Sequence, residues 1–385
     1  MVNKREICIT QDPFAYDATE IDSYNILDGY NVSTDLLEYQ DAGHADSETF
    51  KTLRVQSQDE RVSRETIIEE STDQVAAASI FGGTINLTGG FTGAWRGYDF
   101  HSSGLLMGIM GYQTVATVAN PAGSYEASGF ATGHRYEFAM VPSTLAIKIV
   151  DEQANAGGGV TRVYRGVGIT QANISLRAKQ YVTMDAQWMA RRVEVFDLPY
   201  PSSTEPSGDP ALFYNAVLKW TPTGGSVETF KCQEFTMNVN RPIDTDDFMI
   251  GSQFLNSLTY NGLTDLGGNI TLSPSDWDKL RAMMAGTTDD TINTLDEGRR
   301  EFFGEVTNTT TTTVLANDIP SGKLEIFLHK PDGSQVVGKI TADVCKLTEA
   351  SASAQGRQKY TKTVNWKAVI NNTNKFYVDV WEPTA

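Results

Sequence analysis

The sequence predicts a mainly β protein in which one arrangement of strands and a short helix is built twice. Three observations carry that expectation. The chain repeats itself with a period near half of its 385 residues, and apolar and polar residues alternate along several long stretches. The composition, 40% hydrophobic with 33 glycines and many threonines, leans towards strands and turns.

The second copy of the repeat is the clearer. Phe235–Val239 and Gly267–Leu272 read as strands, and a short helix follows. In it Ser273 is the N-cap, Pro274 takes the first helical position and Asp276 stands where a capping box needs a carboxylate. Trp277, Leu280 and Met284 share one face and Gly286 supplies the stop. The earlier copy answers in the same order. Glu48–Lys51 matches Glu228–Lys231 at an offset of 180, Gly82–Thr88 matches Gly267–Ser273 at 185, and Leu105–Gly111 echoes Leu280–Gly286 at 175. Leu145–Ile147 answers Leu324–Ile326 at 179, and Trp188 answers Trp366 at 178. Offsets that differ only as loop insertions make them differ define an internal duplication.

Taken in order, residues 1–46 read as an N-terminal arm that orders against a partner, with Glu6–Thr10 as one short strand. Its deletion is expected to leave a folded, soluble subunit that no longer assembles. The first repeat spans 47–197. Leu53 and Val55 alternate with polar residues as in a half-buried strand, and Arg61–Ser79 is a long loop or a hairpin that reaches out of the domain. Gly82–Thr88 is a strand leading into a glycine-rich turn and the Leu105–Met110 helix. Beyond the loop Pro121–Gly133, Leu145, Ile147 and Ile149 alternate with Ala146, Lys148 and Val150, and Ala156–Gly159 is a hairpin tip. Val182, Met184, Ala186 and Trp188 share a face of a long strand, with Thr183, Asp185 and Gln187 opposite, as a barrel wall requires. Residues 198–210, crowded with proline and serine, are a linker. The second repeat occupies 211–385. It contains a threonine-rich loop, Thr287–Ser321, expected to be mobile in the isolated subunit. Two long strands close the chain. Tyr360, Lys362, Val364, Trp366, Ala368 and Ile370 share a face of one, and Phe376, Val378 and Val380 of the other.

The net charge of −17 argues against tight binding of nucleic acid through its phosphates. Up to Val75 there are 17 acidic and 6 basic residues, so most of the excess belongs to the first fifth, a solvated surface suited to subunit contacts. No apolar run approaches membrane-spanning length, and the first residues lack the apolar core of a signal peptide. Cys8, Cys232 and Cys345 are isolated and odd in number, which points to free thiols in a reducing compartment.

Residues that could carry chemistry do not form constellations. His44, His101, His134 and His329 are scattered singly and read as surface or turn residues. Asp244–Asp247 and Asp289–Asp290 lack the glycine and glutamate spacing of a calcium loop and read as solvated loop acid. Ala156–Val160 and Arg165–Gly168 are glycine-rich without a strand-to-helix phosphate pattern and read as turns. Trp188 and Trp366 alternate with apolar residues and read as core anchors. No catalytic, cofactor-binding or metal-ligating residue is assigned, and no enzyme activity is expected.

The Gly-Gly-x-Ile-x-Leu strand entering a short helix that ends in Met-Gly or Ala-Gly, followed by long two-faced strands, resembles the tail tube proteins of long-tailed bacteriophages. The resemblance spans residues from about 47 to the end. It implies two tandem β-sandwich domains, each flanked by one short α-helix, whose long strands combine across subunits into a β-barrel around a channel. It also implies a structural virion protein, made in the host cytoplasm, whose rings stack into a hollow tube for DNA passage during ejection. Members with one domain form six-subunit rings, so a doubled domain implies a trimer with pseudo-sixfold symmetry. The implied partners are further copies of the chain, a tape measure protein in the lumen, and terminator and baseplate or distal tail proteins. Genome DNA passes unbound, and no membrane is involved. A channel that passes DNA is poor in clustered lysine and arginine, yet Lys359, Lys362, Lys367 and Lys375 lie in the C-terminal strands. Two other readings stay open: a terminator or baseplate ring of the same fold, and a β-sandwich surface module that binds glycans. The latter predicts aromatic clusters at loop tips, where this chain has Gly, Thr and Asp.

Overall fold

The computed structural model describes residues 4–11, 50–69, 79–114, 133–139, 142–152, 159–196, 208–222, 226–230, 232–244, 246–248, 252–272, 305–306, 314–315, 321–333, 336–353 and 361–381. The expected helix over Ser273–Gly286, His44, Asp289–Asp290 and most of the threonine-rich loop lie outside them.

The first half runs β1 (Lys4–Gln11), β2 (Lys51–Leu53), β3 (Val55–Glu69), β4 (Ser79–Ala94), α1 (Gly97–Ser102), α2 (Leu105–Met110), β5 (Gly111–Thr114), β6 (Gly133–Phe138), β7 (Leu145–Glu152), β8 (Gly159–Arg177), β9 (Thr183–Ala190) and β10 (Arg192–Phe196). A 3-10 turn, Phe213–Asn215, opens the second. There follow β11 (Val217–Pro222), β12 (Glu228–Phe230), β13 (Cys232–Asn240), β14 (Asp265–Leu272), β15 (Glu305–Val306), β16 (Val314–Leu315), β17 (Ser321–His329), β18 (Val336–Ser353), β19 (Thr361–Ala368) and β20 (Phe376–Trp381). The protein is mainly β. Eighteen strands form one hydrogen-bonded sheet with antiparallel ladders, and β15 and β16 pair apart from it.

The pairing scheme occurs twice. In the first half β1 joins β2 to β7, β7 joins β8, β8 joins β9 and then β10, β9 joins β4, and β4 joins β3. In the second half β11, β12, β17, β18, β19, β20, β14 and β13 make the same ladders in the same order. Even the irregularities repeat. A bulge follows Ile169, opposite Trp188, and another follows Leu347, opposite Trp366. Bulges also open β3 at Val55/Ser57 and β13 at Cys232/Glu234.

The ladders correct one alignment drawn from sequence. Gly89, not Gly83, lies opposite Trp188, as Gly268 lies opposite Trp366. An added Cβ on Gly89 would stand 2.3 Å from the Trp188 ring, so the glycine is the space in which the indole lies. The residues Gly89–Gly93 accordingly continue β4 rather than forming the expected turn. Arg165–Gly168 likewise lies within β8, with Gly166 at φ +56° where the Arg191 side chain leaves no room for a Cβ. The stretch Arg61–Ser79 is a hairpin, its ladder running out to Glu69 opposite Ser79.

The largest correction concerns the N-terminus. The strand expected over Glu6–Thr10 is present as Lys4–Gln11, but instead of belonging to a free arm it is lodged between β2 and β7, with Ile7, Cys8 and Ile9 fully buried, while residues 12–46 of the expected arm lie outside the described residues. Two apolar side chains on one face and a thiol on the other suit a strand covered on both sides. The same cover explains β7 and β20, where the expected two-faced alternation gives way to burial of Leu145–Val150 and of Val378–Trp381. One face of the sheet packs into a single core that holds Trp95, Trp188, Trp220 and Trp366 from both halves. Behind it lie two small clusters, Cys8 with Phe50, Ala146 and Val163, and Phe327 with Val336 and Trp381.

The helix expected over Leu105–Met110 is present, ended by Gly111 in the left-handed region and packed on β1, β6 and β8. The described end of the linker is fixed. Gly208 donates its N–H to Asp99 at 2.6 Å, and its carbonyl accepts from Arg96.

Candidate functional site

Among the described residues two strand seams join one half of the chain to the other, beside smaller contacts such as the Ile85 N–H on the Gln253 carbonyl at 2.7 Å. In the first, β13 lies antiparallel on the C-terminal part of β8, with Phe235 opposite Leu176, Met237 opposite Ile174 and Val239 opposite Ala172, all buried. Phe235 also stacks at 5.8 Å on Trp366, and Arg177 pairs with Glu234 across the ladder at 2.7 Å. The seam continues past β13, where Arg241 N–H reaches the Thr170 carbonyl at 2.7 Å. The Arg241 guanidinium is then buried over the Phe138 ring and donates to the carbonyls of Ile109, Met110 and Ala139. Two of these close α2, where the helix dipole places partial negative charge. Burial pushes the Arg241 pKa down to about 10, which leaves the group a cation at neutral pH.

In the second seam β6 lies on the outer edge of β20. Arg135 grips Asp379 with two bonds of 2.7 and 2.9 Å while its guanidinium lies 3.9 Å over Tyr377. A buried carboxylate is tolerated there because a bidentate cation faces it, although burial still lifts the Asp379 pKa above its ordinary value.

A histidine pair marks the same seam. The rings of His101 and His134 stack with centroids 3.7 Å apart, and His101 Nδ1 bonds the Tyr136 hydroxyl. These two are therefore not the separate surface residues expected. Burial, then the repulsion of His134, hold His101 down at about 4, against an ordinary 6.5. The folded protein keeps this ring neutral while the unfolded chain protonates it, so stability present above pH 6.5 is lost as pH falls towards 4. The expected loss is on the order of 2–3 kcal/mol by pH 4. Denaturant titrations at pH 7 and pH 4.5 should show a smaller acid loss in His101→Gln than in the natural chain; equal losses would remove His101 as the cause.

The remaining residues of interest lie apart. His329 is buried at the end of β17. The Asp244 carboxylate accepts the N–H of Asp246, and Asp247 accepts the Ser257 hydroxyl, so these acids shape a loop. Trp188 and Trp366 are buried in the core. Lys367 pairs with Asp265 at 3.1 Å and Lys375 with Glu137 at 3.9 Å. Cys8 and Cys345 are buried free thiols, Cys8 pushed up to about 12 by burial.

Along the sheet, apolar side chains stand in the open on edge strands and at the β3–β4 hairpin: Val62, Ile80, Phe81 and Val195. Edges of this kind are what a strand-pairing partner covers. A family model described as phage tail tube protein matches residues 68–368. The chain belongs to the phage tail tube protein family. No curated protein matches it.

As a tail tube protein it is a structural component of the virion tail. Arg241, Arg135 and Asp379 escaped sequence reasoning because their partners lie more than 100 residues away. An arginine at a strand end, before Pro242, was the one local hint.

Proposed function

We propose that this chain forms the tail tube itself, each half filling one of six positions in a ring, so that three chains close it with pseudo-sixfold symmetry. Rings stack into a hollow tube through which DNA leaves the virion without specific binding. The observation that carries this reading is the doubled pairing scheme whose copies join edge to edge inside one chain. The halves correspond to the domains 47–197 and 211–385 joined by the linker 198–210, with β1 added to the first. The exposed Ile80 and Phe81 at the β3–β4 hairpin suit contact with a neighbouring ring or subunit. The tape measure protein within the lumen, and the terminator and baseplate proteins at the ends, are the further partners of such a tube. The role is structural and calls for no catalysis.

Negative-stain electron microscopy of the concentrated protein, with mass by light scattering, tests the reading. The expected result is hollow rings or stacked tubes whose mass rises in steps of three chains. Rings that never stack would instead fit a terminator or baseplate component, and a monomer that binds glycans would fit the surface module.

A further inference from the structure

We propose that copies of this chain join by repeating the internal seam: β3 of one copy pairs antiparallel with Glu349–Ser353 of β18 in the next, Val62 opposite Ala350. The inference rests on the ring reading above and names the strands and register that make its interface.

The equivalences follow from the two tryptophans. Ile169 and Leu347 each face a tryptophan and are each followed by a bulge, so Gln171 corresponds to Glu349 and Ala172 to Ala350. Gly89 and Gly268 face the same tryptophans from the other side, and their partners are Glu60 and Met237. Val62 therefore corresponds to Val239, and Arg64 to Arg241. Inside the chain Val239 lies opposite Ala172 and is 2% exposed. Its counterpart Val62 is 57% exposed. Among the described residues, β3 pairs with β4 alone and Glu349–Ser353 with β19 alone. Among the described residues the strand and its receiver thus stand at the two ends of one run of ladders, β3–β4–β9–β8–β13–β14–β19–β18, each without a partner strand on its outer side.

The internal register, carried over, sets Asp59 opposite Ser353, Glu60 opposite Ala352, Arg61 opposite Ser351, Val62 opposite Ala350 and Ser63 opposite Glu349. The receiving residues are small, as Ala172 is inside. The one charged receiver, Glu349, falls opposite Ser63 and diagonally across from Arg61 on the same face, an unlike charge within reach across the ladder.

The second seam shows the same rule independently. Val193 faces Tyr164 as Val378 faces Ile340, and these two face Ile147 and Ile326 of the repeat, which makes Val195 the counterpart of Val380. Val380, covered by β6, is 0% exposed; Val195 is 55% exposed. Among the described residues neither open valine has a strand of the other half beside it. A second copy supplies that half. Because the two surfaces differ, the contact is head to tail, and it closes into a ring or runs on as a filament.

The test is a disulfide placed across the new seam in a Cys232→Ser chain. Opposed Cα atoms in an antiparallel ladder lie about 4.5–5.5 Å apart, within disulfide reach. Chains carrying only Val62→Cys and chains carrying only Ala350→Cys are mixed, assembled and oxidised. The expected product is a covalent dimer that appears only in the mixture. Val62→Cys mixed with Ser353→Cys, three residues out of register, should give none. Val62→Lys should keep the subunit's melting temperature and lose ring assembly. Rings visible by microscopy without the Val62–Ala350 bond would overturn this seam and leave the ring reading standing. Failure of the unaltered chain to self-associate at any concentration would overturn both.

Discussion

Removing residues 1–11 is expected to leave a chain that neither stays soluble nor unfolds cooperatively. β1 sits between β2 and β7, with Ile7 opposite Ile149 and Ile9 opposite Ile147, and both isoleucines are buried. Each contributes about 1.5–3 kcal/mol of burial. Its loss would also uncover the backbone of β2 and β7, and would leave Ile147, Ile149 and α2 facing water. The strand is tied at its side chains as well. Glu6 accepts the Thr52 hydroxyl at 2.6 Å, and Arg5 pairs with Glu60 at 2.7 Å and Asp151 at 3.1 Å. The sum approaches the whole stability of an ordinary domain, about 5–15 kcal/mol. Soluble yield and thermal unfolding followed by circular dichroism measure it, and the point substitution Ile9→Ala should cost about 2–5 kcal/mol in the same assay. A truncated chain that melts within a few degrees of the full one would remove β1 from the core and restore the arm expected from sequence.

Alanine in place of Gly89 or Gly268 should be almost as damaging, and Gly268→Ala the worse of the two. At Gly89 the new methyl carbon would meet the Trp188 ring at 2.3 Å and the Asp59 carbonyl at 2.7 Å. Trp188 is buried and packed against Tyr164 with ring centroids 4.8 Å apart, so its ring cannot swing away without disturbing the core. Overpacking of this kind costs about 1–3 kcal/mol. At Gly268 the methyl carbon would lie 1.9 Å from the Thr236 carbonyl, so relief requires β13 and β14 to part rather than a side chain to turn. β13 also forms the seam with β8, and a variant that folds is expected to lose its grip there. Denaturant unfolding of both variants ranks them. A Gly268→Ala protein as stable as the natural one would show that the ladder does not pass so close to β14.

Alternation and repetition made much of this molecule legible in one dimension. The strands β9, β13 and β14, the helix α2 and the doubling of the unit were all readable, because a strand or helix buried on one side writes its own period into the residues that form it. The glycine pairs were visible too, but matched by their letters alone, Gly82–Gly83 took the place that belongs to Gly89. Only the Trp188 ring opposite shows which glycine has to lack a side chain. The strand at Glu6–Thr10 was readable, but its place inside the core was not, for a related reason. Two isoleucines around a cysteine carry no period of their own, and the two strands that bury them are drawn from positions near 50 and 150.

By itself the sequence determined the class of the fold, its duplication and the absence of any readable catalytic pattern, since these depend on residue type and local spacing. Tertiary structure alone decided which edges are closed and which are open. Val62 and Val239 have the same side chain on equivalent strands, and nothing in either stretch says that one is covered and the other bare. The difference comes from which strand lies alongside, and hydrogen bonding between strands is set by what folding brings to the edge, not by the residues on the edge itself.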